Sequence, residues 1–232
     1  MGVDLDEVAS VGGFFALRTG EPGEGHMPLA RLYAGDTAPL TARVDTVAAR
    51  LRTPERRVAA SVAHLGFAAR LWSVALGCAA LHGELPDLDP TLLHWDPRLS
   101  APDDLCLTAT RTVPAAAATV REVVQYGHLV PLADALTGDT RISRQLLWGN
   151  AGSALAGAVR ELRAWAGRGG RTDVAERASA LAAGLFSHPD LSGTVEGPAM
   201  RRRTCCLYYR CPGGGLCGDC VFDRPPQHGS MR

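Results

Sequence analysis

TPERRVAASVAHLGFAARLWSVALGCAALHG, residues 53–83, is the stretch that sets the fold class. Thr53 can cap a helix that has Pro54 at its first position and Glu55 near the positive end of its dipole. Behind them Val58, Val62, Leu65, Ala69, Trp72 and Leu76 recur at alternating steps of four and three, which is one face of a helix. The spacing predicts a helix that stops near Gly83.

Further along the chain the same period returns. It predicts a helix from Pro114 to Tyr126 ended by Gly127, a short piece from Leu129 to Leu136 ended by Gly138, and a long one from about Ser143 to Gly167. On the long one Leu147, Ala151, Ala154, Ala158, Leu162 and Trp165 share a face. Thr172 can cap a last helix carrying Val174, Ala178, Leu181 and Leu185. Between Pro86 and Pro114 the period is lost, and Leu92–Trp95 and Leu105–Thr108 read as two short strands that could pair. The first 40 residues carry little periodicity, and Gly20–Pro28 is a loop by composition. Small residues on the stripes allow close helix approach. The fold class is therefore mainly α (α+β): a packed helical bundle with a small β element and a C-terminal cysteine-rich segment. The boundary falls at residue 198: a mostly helical body over 1–198 and a cysteine segment over 199–232, packed on the body as one domain.

Composition narrows the chemistry. All 24 basic residues are Arg, balanced by 24 acidic ones in a chain of 232. Without Lys there is no phosphate loop of the Walker type, no pyridoxal Schiff base and no Ser-Lys pair. A net charge of zero gives no global attraction to nucleic acid or acidic membranes. No G-x-G-x-x-G follows a strand, no H-E-x-x-H occurs, and no G-x-S-x-G elbow is present. The acidic start MGVDLDEVASVGG does not read as a secretory signal, and the longest apolar run, around Leu71–Leu81, falls short of the ~20 residues that span a bilayer. The expected setting is the cytosol, where seven cysteines are thiols, metal ligands or redox groups rather than a disulfide framework.

Five of the seven cysteines lie within sixteen residues, in RRRTCCLYYRCPGGGLCGDC, Arg201–Cys220. Cys78 and Cys106 lie apart in apolar settings and read as buried small hydrophobes. Cys217-Gly218-Asp219-Cys220 is a C-x2-C knuckle that lets two sulfurs reach one metal. A second pair must come from upstream. Adjacent cysteines in extended backbone point to opposite sides, so Cys205 and Cys206 could chelate a single tetrahedral ion only through a strained turn. A binuclear cluster relaxes that demand by spreading its ligand positions over two irons. Gly213, Gly214, Gly215 and Gly218 let the backbone wrap closely, and the surplus of six Arg over two Asp from Ala199 to Arg232 offsets a negative cluster.

The spacing C-C-x10-C-x2-C resembles the terminal signature of the FhuF-type ferric-siderophore reductases, and HLGFAARLWSVALGCAALHG (64–83) and LWGNAGSALAGA (147–158) look like actinobacterial members of that family. The resemblance implies a 2Fe-2S cluster held by Cys205, Cys206, Cys217 and Cys220, with Cys211 a spectator thiol. It also implies the activity: one electron passed to Fe(III) in a siderophore of hydroxamate type, with release of Fe(II). The implied partners are the ferric siderophore and a cytosolic electron donor such as a ferredoxin or its reductase, with no nucleic acid and no integral membrane segment, the chain acting as a monomer. Tyr208, Tyr209, Arg210 and the run Arg201, Arg202, Arg203 are the candidate contacts to chelate or donor, because aromatic faces and guanidinium groups suit both. Two other readings stand beside this one: a structural zinc-binding module, and a 2Fe-2S redox sensor that changes its binding to a partner.

Overall fold

The computed structural model describes residues 2–226. The first fifty residues hold more structure than their composition suggests. Short helices α1 (Leu5–Ala9) and α2 (Leu29–Tyr33), strands β1 (Arg18–Thr19) and β2 (Met27–Pro28), and a full helix α3 (Ala38–Leu51) come from them. Asp4 caps α1, its carboxylate accepting from the Asp6 and Glu7 N–H groups at 3.0 and 3.1 Å. Phe15, Leu29 and Leu32 drive these pieces into the core.

Helix α4 (Arg56–His82) is the axis of the protein. It begins two residues later than the sequence predicts: Glu55 is its N-cap, and Thr53 instead accepts from the Glu55 N–H at 3.3 Å. It ends at Gly83, whose left-handed φ of 71° closes the last turn as expected. From Arg70 to Leu81 every residue is buried, so this half is surrounded on all sides rather than on one face. In the first half, Val62, Leu65 and Ala69 of the expected core stripe are only half-buried. The helix is long and apolar enough to cross a membrane, but 78% of its most apolar window is buried inside the protein, as in a core helix.

Strands β4 (Leu93–Trp95) and β5 (Leu105–Leu107) pair antiparallel, Leu93 opposite Leu107, as the sequence predicts. They form the centre of a four-stranded sheet in the order β1-β5-β4-β2. A second small ribbon joins β3 (Glu84–Pro86) to β6 (Thr112–Pro114). The two helices expected over 114–138 are instead one run. α5 (Ala117–Val120) passes through a π-helical stretch, Arg121–Leu129, into α6 (Val130–Thr140). Neither Gly127 nor Gly138 breaks it. Pro131 lacks an N–H and its ring crowds the carbonyl four residues back, at Gly127, and the wider π turn makes room there.

α7 (Arg144–Arg168) packs along α4, and α8 (Thr172–Phe186) packs on both. The stripe Leu147, Ala151, Ala154, Ala158 and Leu162 is buried, and so are Val174, Ala178 and Leu185 of α8. After α8 the chain forms the ribbon β7 (Val195–Glu196) and β8 (Arg201–Arg202) and a 3-10 turn, Tyr208–Arg210, against α7 and α4. The protein is mainly α with a minor β element.

Candidate metal centre

Two glycines on α7 decide how closely the cysteine segment approaches. A Cβ on Gly149 would lie 1.7 Å from the Thr204 Oγ1, and one on Gly152 would lie 2.0 Å from the Thr194 Oγ1. One residue beyond each glycine, a polar side chain grips the segment. Asn150 accepts from the Arg202 Nη2 at 2.6 Å through its Oδ1, and its Nδ2 donates to the Ser61 backbone oxygen and Oγ at 2.9 and 3.0 Å. The Ser61 hydroxyl, from α4, donates in turn to the Cys206 carbonyl at 2.8 Å. Ser153 donates to the Asp219 carboxylate at 2.5 Å. Helices α4 and α7 thus hold both halves of the signature.

The ligand loop has the local geometry of a metal knuckle. The Cys220 N–H donates to the Cys217 carbonyl at 3.1 Å and closes the C-x2-C turn. Backbone N–H groups two residues ahead point at two sulfurs: Leu207 to the Cys205 Sγ at 3.2 Å and Phe222 to the Cys220 Sγ at 3.4 Å. Leu207 takes a left-handed φ of 68°, the turn that separates Cys206 from the 3-10 turn after it. The thiols of Cys205, Cys206, Cys217 and Cys220 interact with one another. The Cys217 thiol is hydrogen-bonded to Cys206, which pulls the Cys206 pKa down to about 7 and pushes the Cys217 pKa up. Cys205 is pushed up, chiefly by burial, and feels both Cys217 and Cys220. Cys206 and Cys220 are buried while Cys205 and Cys217 are half-exposed, which leaves one edge of the set towards solvent. Cys211 is buried near Glu55, and burial, then the Glu55 charge, push its pKa up. Cys78 and Cys106 are buried elsewhere, and burial pushes the Cys78 pKa up to about 12.

This donor set fits a 2Fe-2S cluster. Four thiolates and two bridged ferric ions form a dianion that needs N–H donors and buried positive charge. The segment supplies both: the two N–H to sulfur contacts, and the Arg202 guanidinium, only 1% exposed, whose charge favours the thiolate forms of Cys205, Cys206 and Cys217. Among the described residues no group of three or more His, Cys, Asp or Glu side chains is arranged around one metal position.

The residues expected to touch a chelate or donor are placed differently from one another. Arg202 is buried and offers no outer face, because the Asn150 and Thr204 oxygens draw it inward. Arg201 donates twice to the Cys220 carbonyl, at 3.0 and 2.8 Å, and pairs with Asp223 at 2.9 Å. Arg203 is exposed, with Glu196 at 3.5 Å. Arg210 is clamped to Glu55 at the start of α4, at 2.7 Å, and is hydrogen-bonded to Tyr209. Tyr209 packs edge-on against Phe222 with ring centroids 5.7 Å apart, and Tyr208 is half-buried. Within the arginine run, Arg202 is buried, Arg201 is half-exposed and tied to the knuckle carbonyl, and Arg203 lies on the surface. Sequence reasoning missed Ser61, Asn150 and Ser153. Their signal was polar side chains set inside otherwise small and apolar helical stretches, the Asn and Ser each directly after a Gly in LWGNAGS.

Next to the knuckle, a groove of about 450 Å³ between α4 and α7 reaches Ser153, with Phe14, Phe15, Leu65, Ala69 and Glu161 along it. It is this groove that leaves Leu65 and Ala69 half-buried.

Comparison with known proteins agrees with the geometry. Residues 202–222 match the FhuF 2Fe-2S C-terminal domain, a span that contains all five clustered cysteines. No curated protein matches the chain. The C-terminal segment is similar to the FhuF 2Fe-2S C-terminal domain, and that match indicates a 2Fe-2S cluster as its cofactor.

Proposed function

We propose that this protein is a cytosolic ferric-siderophore reductase whose cluster is held by Cys205, Cys206, Cys217 and Cys220. The observation that carries the reading is the meeting of four mutually interacting thiols, backed by a buried guanidinium, inside a segment that matches the FhuF 2Fe-2S domain. When bound, the cluster supplies a one-electron couple. Cys205 and Cys217, half-exposed, form the edge across which the electron leaves, and Cys206 and Cys220 anchor the opposite side in the body. Cys211, apart from the other four and facing Glu55, ligates nothing.

The balance of the reaction is simple. A ferredoxin-type donor gives one electron to the protein, the protein gives it to the Fe(III) of the chelate, and Fe(III) becomes Fe(II). Hard Fe(III) binds anionic oxygen donors tightly and Fe(II) binds them poorly, so the metal is released without cleavage of the ligand. The groove beside Ser153 gives a hydroxamate chelate an apolar wall next to the knuckle. Of the surface candidates, Tyr208 and Arg203, the latter exposed and only loosely paired with Glu196 at 3.5 Å, are the contacts for chelate or donor, whereas Arg202 is buried and Arg201 and Arg210 are held by the knuckle carbonyl and Glu55.

The test is a single-turnover experiment without oxygen. Protein reduced by dithionite and freed of excess reductant is mixed with a ferric trihydroxamate and a chromogenic Fe(II) chelator. One Fe(II) per reduced chain, with return of the oxidised visible spectrum, is the expected result. A reduced protein that ignores the chelate overturns the reading.

A further inference from the structure

Arg202 carries a full positive charge into the interior with no carboxylate to meet it. Among the described residues it forms no ion pair, and its side chain is 1% exposed. The Nε donates to the Thr204 carbonyl and the Nη2 to the Asn150 Oδ1, both neutral acceptors. The Nη1 is buried and has no partner. An isolated buried cation of this kind is strongly unfavourable unless an anion offsets it.

The surroundings show where that anion belongs. The Arg202 backbone N–H donates to the Asp219 carbonyl, inside the knuckle, at 3.1 Å. Its side chain folds back over Thr204, next to Cys205 and Cys206. Guanidinium has no acceptor, so the Asn150 amide must turn its oxygen to Arg202 and its nitrogen to Ser61. That orientation is locked by the two donations from Nδ2 to Ser61, and Ser61 is locked by its bond to the Cys206 carbonyl. The cation is therefore fixed to both halves of the cysteine set through α4 and α7.

We infer that Arg202 is the built-in counter-charge of the cluster: its free Nη1 N–H is a donor held ready for a cluster sulfur, and its charge sets the reduction potential. The inference rests on the cluster reading above. Arg202 is a positioning and tuning residue, since it neither ligates iron nor faces solvent. A fixed positive charge favours the more negative, reduced state, so its removal lowers the midpoint potential.

The experiment compares wild type, Arg202→Met and Arg202→Lys, purified without oxygen, by iron and sulfide content, by electron paramagnetic resonance of the reduced state, and by redox titration. In Arg202→Met the ratio of reduced to oxidised protein at a fixed potential is expected to fall at least tenfold, a midpoint shift of about 59 mV for one electron. Arg202→Lys, which keeps the charge without the planar fork, is expected to lie between. Loss of the cluster in Arg202→Met with retention in Arg202→Lys also supports the counter-charge. Two loaded variants with the wild-type midpoint overturn it. So does loss of the cluster in both, which makes the role one of shape. A wild type without iron, sulfide or signal defeats the cluster reading itself and is distinguished at the first step.

Discussion

Gly149→Ala is the sharpest probe of how the helical body builds the metal centre. The new Cβ would lie 1.7 Å from the Thr204 Oγ1, 3.0 Å from its Cβ and 3.4 Å from its Cγ2. Rotation of the threonine only exchanges which atom collides, so the segment carrying Cys205 and Cys206 must move away from α7. Overpacking of this kind costs about 1–3 kcal/mol. Alanine in place of glycine within a helix returns about 1 kcal/mol, which leaves a net loss of about 1 kcal/mol. The Thr204 hydroxyl is buried without a partner, so Thr204→Ala alone is expected to change stability by less than about 0.5 kcal/mol. In the double variant the worst collision is gone and the helix gain remains, which predicts a coupling of about 1–2 kcal/mol. Urea denaturation followed by tryptophan fluorescence gives the three energies, and iron per chain gives the second readout. Iron should fall in Gly149→Ala and recover in the double variant. Additivity within about 0.5 kcal/mol, with unchanged iron, would refute close packing of Thr204 on α7 as the device that seats the ligands.

Cys206→Ser or Cys217→Ser is expected to abolish or grossly alter the visible spectrum of anaerobically purified protein, and Cys211→Ser to leave it largely intact; the reverse pattern would break the ligand assignment. Acid should destabilise the fold through two buried histidines, whose pKa values burial holds down at about 3 for His64 and about 4 for His128. The unfolded chain binds protons at both below about 6.5 and the folded one does not, so their contribution is complete above that pH and is lost as pH falls towards 4 and then 3. Each contributes a slope of about 1.4 kcal/mol per pH unit in that window. His64→Leu should halve the slope in urea denaturation between pH 6.5 and 5, and an unchanged slope counts against the burial argument. Arg70, 2% exposed, pairs with Asp104 at 2.8 Å, and Asp104→Ala should cost about 3–5 kcal/mol by stranding a buried cation. A loss under 1 kcal/mol in thermal or urea unfolding would show that the Gly13, Phe14 and Pro102 carbonyls suffice for it.

Helical period carried the body because its helices bury stripes against one another: Leu147 to Leu162 and Val174 to Leu185 lie where their spacing placed them. It failed where backbone geometry rather than burial decides. Glycine is read as a helix stop, yet Gly127 and Gly138 lie within one continuous run, because the proline beyond Gly127 is accommodated by a π turn that no period of 3.6 encodes. The short helices before Leu51 were illegible for another reason: α1 buries only Val8 and α2 only Leu29 and Leu32, too few side chains to show a repeat.

Of the metal centre, the sequence showed the cysteine cluster and the Cys217–Cys220 knuckle, the full ligand set came from the resemblance to the FhuF signature, and the surroundings of the cysteines were illegible. The arginines around them looked interchangeable in the sequence, and the fold gives them separate tasks: Arg201 ties the knuckle carbonyl, Arg210 clamps Glu55, and Arg202 turns inward. What turns Arg202 inward is contact with Asn150, 52 positions away in the chain, which is itself held by Ser61, 141 positions from Arg202. Such pairs leave no local pattern, since a small helix face reads the same whether it meets another helix or a cofactor loop. A polar residue directly after a glycine inside an alanine-rich helix is the trace that remains. The glycine removes the side chain that would hold a partner off, and the polar group beyond it has to be satisfied by whatever comes close.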